Sequence, residues 1–155
     1  MLDVDRYLTF FAAEAVTSDM DGFSFHDNNS YMYRLPKSGR FIFIPHGADG
    51  SFWATGSQIT RLSGPYHQPY SELGRKVRSA PALFEKYKGE VARVSRPPVW
   101  DEAALLARVE QVARILATAE KKPPTTFDLE KFARYRPIVE GFIRSQGTTQ
   151  NGKAL

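Results

Sequence analysis

Three oxygen-bearing side chains, Asp21, Asn29 and Asp49, bracket an apolar segment whose pattern folds the chain back on itself. Asp21 and Asn29 precede it and Asp49 follows it, so a reversal between them would bring all three to one place. Hard cations such as Mg²⁺ take oxygen ligands, and one or two carboxylates suffice where substrate phosphate and water complete the shell. The chemistry open to this set is the holding of a divalent cation beside a phosphate, with Asp27 a rival inside the gap. The plainer alternative is local structure. Asp21-Gly22 is a common turn pair, Asn28 and Asn29 serve turns equally well, and Asp19 could end a preceding helix.

The elements that must position these residues follow from pattern. Tyr31, Tyr33 and the run Phe41 to Ile44 are aromatic or β-branched, and between them Pro36-Lys-Ser-Gly39 is a polar connector. This predicts two short strands joined in a hairpin, with Gly39 free to take positive φ and the two tyrosines packing the hairpin. Upstream, Val4, Tyr7, Leu8, Phe11, Ala12 and Ala15 form the stripe of an amphipathic helix from Asp3 to about Val16, with Asp3 as its N-cap. That helix should buttress the loop carrying Asp21.

The same residues carry a family resemblance. Asp21-Gly-Phe23, Asn29-Ser-Tyr-Met-Tyr-Arg34, Gly39-Arg-Phe-Ile-Phe-Ile-Pro45 and Asp49-Gly-Ser-Phe52 resemble the signature of the CotH-like spore-coat protein kinases. The likeness is close over residues 1 to 53 and looser through the helical remainder. It implies ATP and Mg²⁺ as cofactors and a Ser or Thr of a protein, such as a coat or envelope protein, as the phosphate acceptor. Carried over by position, it implies that Asp21 accepts or orients the substrate hydroxyl. Asn29 and Asp49 would bind the metal-nucleotide, Asn29 as one metal ligand and Asp49 as a second. These roles suit phosphoryl transfer, which asks a protein mainly for positioning and charge stabilisation. Two features depart from the pattern. His46-Gly-Ala-Asp49 stands where the family has Trp-Asp-x-Asp, so Gly47 replaces its first carboxylate, and the gap from Asp21 to Asn29 is longer than usual. His46, in the Trp position, could contact a phosphate or cap the strand end.

A kinase also needs a nucleotide-covering strand pair and a lysine on the α- and β-phosphates. Arg6, Arg34 and Lys37 occupy no such strand, so an N-terminal lobe is expected upstream of Met1, the chain being the C-terminal portion of a longer protein. By the resemblance, that protein would be exported or associated with the cell envelope or spore.

The 155 residues, 42% hydrophobic and 25% charged, suit one domain with a core, expected over residues 1–146 with a polar tail at 147–155. With no cysteine, neither a disulfide frame nor a Cys zinc site can form, and His26, His46 and His67 show no paired ligand spacing. No run of about 18 apolar residues suggests a membrane span. The net charge of +4 is spread among acids, as in Glu85-Lys-Tyr-Lys-Gly-Glu90, which favours a solvated surface over a nucleic-acid partner.

Beyond the hairpin, Gly56, Gly64, Pro65 and Pro69 mark an irregular loop over Gly50 to Tyr70, with Phe52 and Trp53 closing the core beneath it. Helices are predicted over Ser71 to Val77, from Ser79-Ala-Pro81 to the break at Arg96-Pro-Pro98, and from Asp101 to Lys121-Lys-Pro-Pro124. Another begins at Asp128, with Pro137 kinking it or opening a fresh segment. The expected fold class is α+β, mostly helical, resembling a protein-kinase-like C-terminal lobe with one small β-hairpin. Two functions remain open: a phosphotransferase lobe, or a non-catalytic kinase-like binding module.

Overall fold

The computed structural model describes residues 1–19, 21–52, 71–119 and 129–152. Helix α1, Val4–Thr17, begins where expected, with Asp3 as N-cap accepting the Arg6 N–H at 3.3 Å. It ends at Ser18, which adopts the left-handed conformation at φ 56° and donates its N–H back to the last turn. A single turn of helix, α2, follows at Phe23–His26. Strands β1, Ser30–Arg34, and β2, Phe41–Pro45, then pair antiparallel with Met32 opposite Phe43, and Gly39 in the connector takes φ +65°. A 3-10 turn at Ala48–Gly50 leads to Phe52.

The remaining described elements are helical: α3 at Glu72–Ser79, α4 at Pro81–Val94, α5 at Glu102–Ala119 and α6 at Leu129–Gly152. Ser71 caps α3 through the Gly74 N–H at 3.0 Å, and Asp101 caps α5 through the Ala104 N–H at 2.9 Å. Most of the loop expected over Gly50 to Tyr70, with Trp53, lies outside the described residues, as do the Lys121 to Pro124 stop and the Asp128 cap.

The core forms around α1, which buries Tyr7, Leu8, Phe10, Phe11, Ala12, Ala15 and Val16. Its main partner is α4, where Tyr87 stacks on Phe11 with ring centroids 4.3 Å apart. On the other side, Phe43 of β2 meets Phe23 at 4.3 Å and Tyr7 at 5.4 Å, seating the hairpin on the helix. Phe52 packs edge-on against Phe142 at 5.6 Å.

One sequence expectation changes. Tyr31 and Tyr33 do not pack the hairpin inward. They stand 58% and 48% exposed, because the strand face that meets α1 is the one carrying Phe43. Of the two readings of Pro137, the fresh segment is set aside, because one helix runs from Leu129 to Gly152 with the proline inside it. The proline removes one N–H, the one that would bond the Ala133 carbonyl, while burial of Phe142 and Ile143 beyond it holds the helix to the core. The same helix carries the backbone past Gly147 as far as Gly152. The architecture is α+β, mostly helical, with one two-stranded antiparallel hairpin.

Candidate functional site

The loop between α1 and α2 delivers Asp21, and the loop between α2 and β1 delivers Asn29. Asn29 takes φ 52°, in the left-handed region that asparagine tolerates better than most residues. This bend turns its side chain toward Asp21. The Asn29 Nδ2 group donates to Asp21 Oδ2 at 2.6 Å and to the Asp21 main-chain oxygen at 3.0 Å. Asn28 Nδ2 donates to the other oxygen, Asp21 Oδ1, at 3.2 Å. Asp21 is thus an exposed carboxylate held in one orientation by two amides. Asp27, the rival, instead ends α2 with φ 55°.

Hairpin closure brings the downstream segment alongside. The His46 N–H bonds the Asn29 carbonyl at 2.9 Å, and the Phe52 N–H bonds the Thr17 carbonyl at 2.7 Å, tying the chain after β2 to the end of α1. A Cβ on Gly47 would lie 3.1 Å from Asn29 Oδ1, and a Cβ on Gly50 would lie 3.3 Å from the Asp21 Cβ and 3.4 Å from Asp19 Oδ1. The turn bearing Asp49 therefore abuts both other site residues. His46 packs edge-on to Tyr31 at 4.7 Å, so its ring has a structural partner at the strand end.

The structure joins Asp21 and Asn29 directly and adds Asp49 through its charge on a third carboxylate, Asp19. Asp19 is 5% exposed and its Oδ1 has no hydrogen-bond partner among the described residues. Burial pushes its carboxyl up, opposed by hydrogen bonds from the Asp21 N–H and Ser51, while the charges of Asp21 and Asp49 push it further up. Nothing in the Asp19, Asp21 pair told which would be buried.

Glu14 is the other residue that sequence reasoning passed over. Its carboxylate accepts the Phe23 N–H at 2.9 Å and the Ser24 N–H at 3.0 Å, capping α2 from behind. Burial pushes it up to about 7, against the pull of the Ser24 and Phe23 hydrogen bonds and with a further push from Asp19. A readable signal existed: Tyr7, Phe11 and Glu14 stand at i, i+4 and i+7, so Glu14 lies on the apolar stripe of α1.

The donor set fits a hard divalent cation in kind. Asp19 feels the charges of Asp21 and Asp49, its buried Oδ1 has no hydrogen-bond partner among the described residues, and Asn29 Oδ1 faces the Gly47 side while its amide nitrogen holds Asp21. Among the described residues no group of three His, Asp or Glu side chains could hold a metal alone. A cation here would lean on phosphate oxygens and water, as Mg²⁺ in nucleotide sites does.

A family model described as CotH kinase protein matches residues 1–144. The chain belongs to the CotH kinase family. The match extends well past the signature around the hairpin and takes in the helical remainder through α5 and most of α6. No curated protein matches the chain. Among the described residues no helix is long and apolar enough to cross a membrane. Membership gives the chain a kinase-like function in general terms; its substrate and chemistry are matters for the site.

Proposed function

We propose that this CotH kinase family chain is the C-terminal lobe of an ATP- and Mg²⁺-dependent phosphotransferase that acts on a Ser or Thr hydroxyl of a protein, such as a coat or envelope protein. Asp21 orients and accepts the proton of the attacking hydroxyl, and Asn29 and Asp49 hold the metal-nucleotide. The observation that carries this reading is the 2.6 Å contact between Asn29 and Asp21, which fixes a solvent-facing carboxylate beside an amide whose oxygen lies toward the turn that bears Asp49. A bound Mg²⁺ would neutralise charge on the transferring phosphoryl group. The protein's own part is to keep the acceptor carboxylate and the ligand amide in fixed relation, so that the hydroxyl meets the phosphorus in line.

The experiment is calorimetry with Mg²⁺-ATP on the full natural protein and its Asp49→Ala variant. Binding by the former and loss of at least tenfold in affinity by the latter is expected. Equal affinity in both overturns the metal-nucleotide role of Asp49.

One observation favours a second reading, a non-catalytic binding module. Gly47 replaces a family carboxylate, and its φ of +63° with Asn29 only 3.1 Å from a would-be Cβ shows the loop shaped around the absence of a side chain. Nucleotide binding without phosphate transfer to any protein acceptor would select this reading.

A further inference from the structure

We propose that Glu14 is a positioning residue for Asp21, setting where that carboxylate stands by holding the backbone of Gly22, Phe23 and Ser24. The functional meaning of this rests on the reading of Asp21 as the hydroxyl-facing carboxylate, but the geometry does not.

Glu14 projects from the buried stripe of α1 and is 5% exposed. A carboxyl group removed from water needs polar partners, and here they are two consecutive backbone N–H groups at the start of α2. Those N–H groups have no acceptor within their own helix, so Glu14 satisfies them as an N-cap would, but from a different element. The carbonyl of Ser24 is fixed in turn by the Ser71 hydroxyl at 2.8 Å. The α2 turn is therefore gripped at both its donors and an acceptor.

The grip reaches Asp21 through Gly22. A Cβ on Gly22 would lie 2.5 Å from Glu14 Oε1, closer than non-bonded atoms approach, and 3.2 Å from the Asp19 carbonyl. The carboxylate thus occupies the space over Gly22 and leaves the backbone one place to go. Asp21 is the next residue back, and on its far side Asn29 closes on both its carboxylate and its carbonyl. Asp21 is held between Glu14 behind and Asn29 in front. This accounts for the Asp-Gly pair by packing, beyond its turn preference.

The groups facing Glu14 come from three elements. Asp19, in the loop after α1, adds negative charge, and Ser24 of α2 bonds the carboxylate through its N–H and hydroxyl. Tyr7 of α1 feels the Glu14 charge and reaches Ser24 Oγ at 3.5 Å, with Asp27 a further negative neighbour of the phenol. The charges acting on Glu14 therefore oppose its ionisation, and its proton sits near neutrality, supported by burial. A change in that proton alters the hold on two N–H groups and, through Gly22, the placement of Asp21.

The test is NMR on the chain across pH 5 to 9, following the backbone amides of Phe23 and Ser24 and the side-chain amide of Asn29. In the wild type all three should move together with one inflection near neutral pH. Glu14→Gln, which keeps one of the two acceptor oxygens, should displace the Asn29 signal less than Glu14→Ala does and remove the inflection, whereas Asp19→Asn should retain it. Glu14→Ala and Gly22→Ala, which break the contact from opposite sides, should both displace the Asn29 signal. If Glu14→Ala does not fold, Gly22→Ala and the comparison of wild type with Glu14→Gln decide. An Asn29 signal unmoved while Phe23 and Ser24 shift overturns the proposal, as does an inflection that survives Glu14→Gln or vanishes in Asp19→Asn. Failure of the wild type to bind Mg²⁺-ATP would count against the phosphotransferase reading alone and leave these signals as stated.

Discussion

The side-chain amide of Asn29 spans both the carboxylate and the main-chain carbonyl of Asp21, at 2.6 Å and 3.0 Å. One residue thus fixes the position and the orientation of the other. Asn29 also bends the chain, with φ 52°, so its replacement tests two effects at once unless they are separated. Asn29→Gly separates them, because glycine keeps the left-handed bend and removes only the amide. Loss of two hydrogen bonds, one of them to a charged acceptor, should cost about 1.5 to 3 kcal/mol, seen as a fall in Tm, with a fall of at least tenfold in Mg²⁺-ATP affinity. Asn29→Asp should weaken nucleotide binding as much or more at neutral pH, since two carboxylates then face each other. Wild-type affinity in Asn29→Gly would remove Asn29 from the site.

Gly47→Asp places a carboxylate where the resemblance expects one, at a point where the Asn29 side chain must give way. The backbone there has φ +63°, and a Cβ would press within 3.1 Å of Asn29 Oδ1 and Cγ. Asp tolerates the left-handed conformation better than most residues, as Asp27 does at φ 55°, so the loss comes chiefly from displacing Asn29. The variant should melt lower than wild type and fail to gain Mg²⁺ affinity, as read by thermal denaturation and metal titration. Tighter Mg²⁺ binding with unchanged Tm would mean that the loop accepts the side chain readily.

How far the sequence told the structure depends on whether local rules settled the matter. Helix α1 with its Asp3 cap, and the reversal between Tyr33 and Phe41, follow from periodicity, capping and turn chemistry, whereas the approach of Asn29 to Asp21 runs across α2, which no such rule announced. The hairpin faces did not follow, since β1 and β2 carry large apolar residues at nearly every position and show no alternation. Only packing selects Phe43 as the residue that meets Tyr7 and Phe23. Helix α6 passes Pro137 for a similar reason, because distant contacts of Phe142 and Ile143 outweigh one lost hydrogen bond. The burial of Glu14 was legible as a charge on an apolar stripe, but its partners, Phe23 and Ser24, lie beyond a chain reversal that no short-range pattern describes.

The α1–α4 contact underlies the site as well as the core. Phe11 and Tyr87 stack at 4.3 Å with both side chains almost fully buried. Phe11→Ala leaves a cavity at this joint and should cost about 3 to 5 kcal/mol, measured by denaturant unfolding. Because Phe11 also meets Phe25 of α2 at 5.8 Å, the loss should loosen the Asp21 loop and raise amide exchange at Phe23 and Ser24. A fall of less than about 1 kcal/mol would mean that the helices close over the gap.

Glu14 gives the fold a pH dependence whose sign is fixed by its raised proton affinity. Its folded value stands at about 7 against an ordinary 4.5, so folding disfavours the ionised form. The associated stability is fully present below about pH 4.5 and is lost progressively as pH rises to about 7 and beyond. A shift of this size corresponds to about 3 kcal/mol at most, since each pH unit is worth about 1.4 kcal/mol. Glu14→Gln cannot ionise, although its amide leaves one of the Phe23 and Ser24 N–H groups without an acceptor. It should therefore be less stable than wild type at pH 5 and gain on it steadily up to pH 8. Denaturant unfolding at several pH values reads the difference directly. A gap between the two proteins that is constant from pH 5 to pH 8 would show that Glu14 ionises in the folded chain as freely as in the unfolded one.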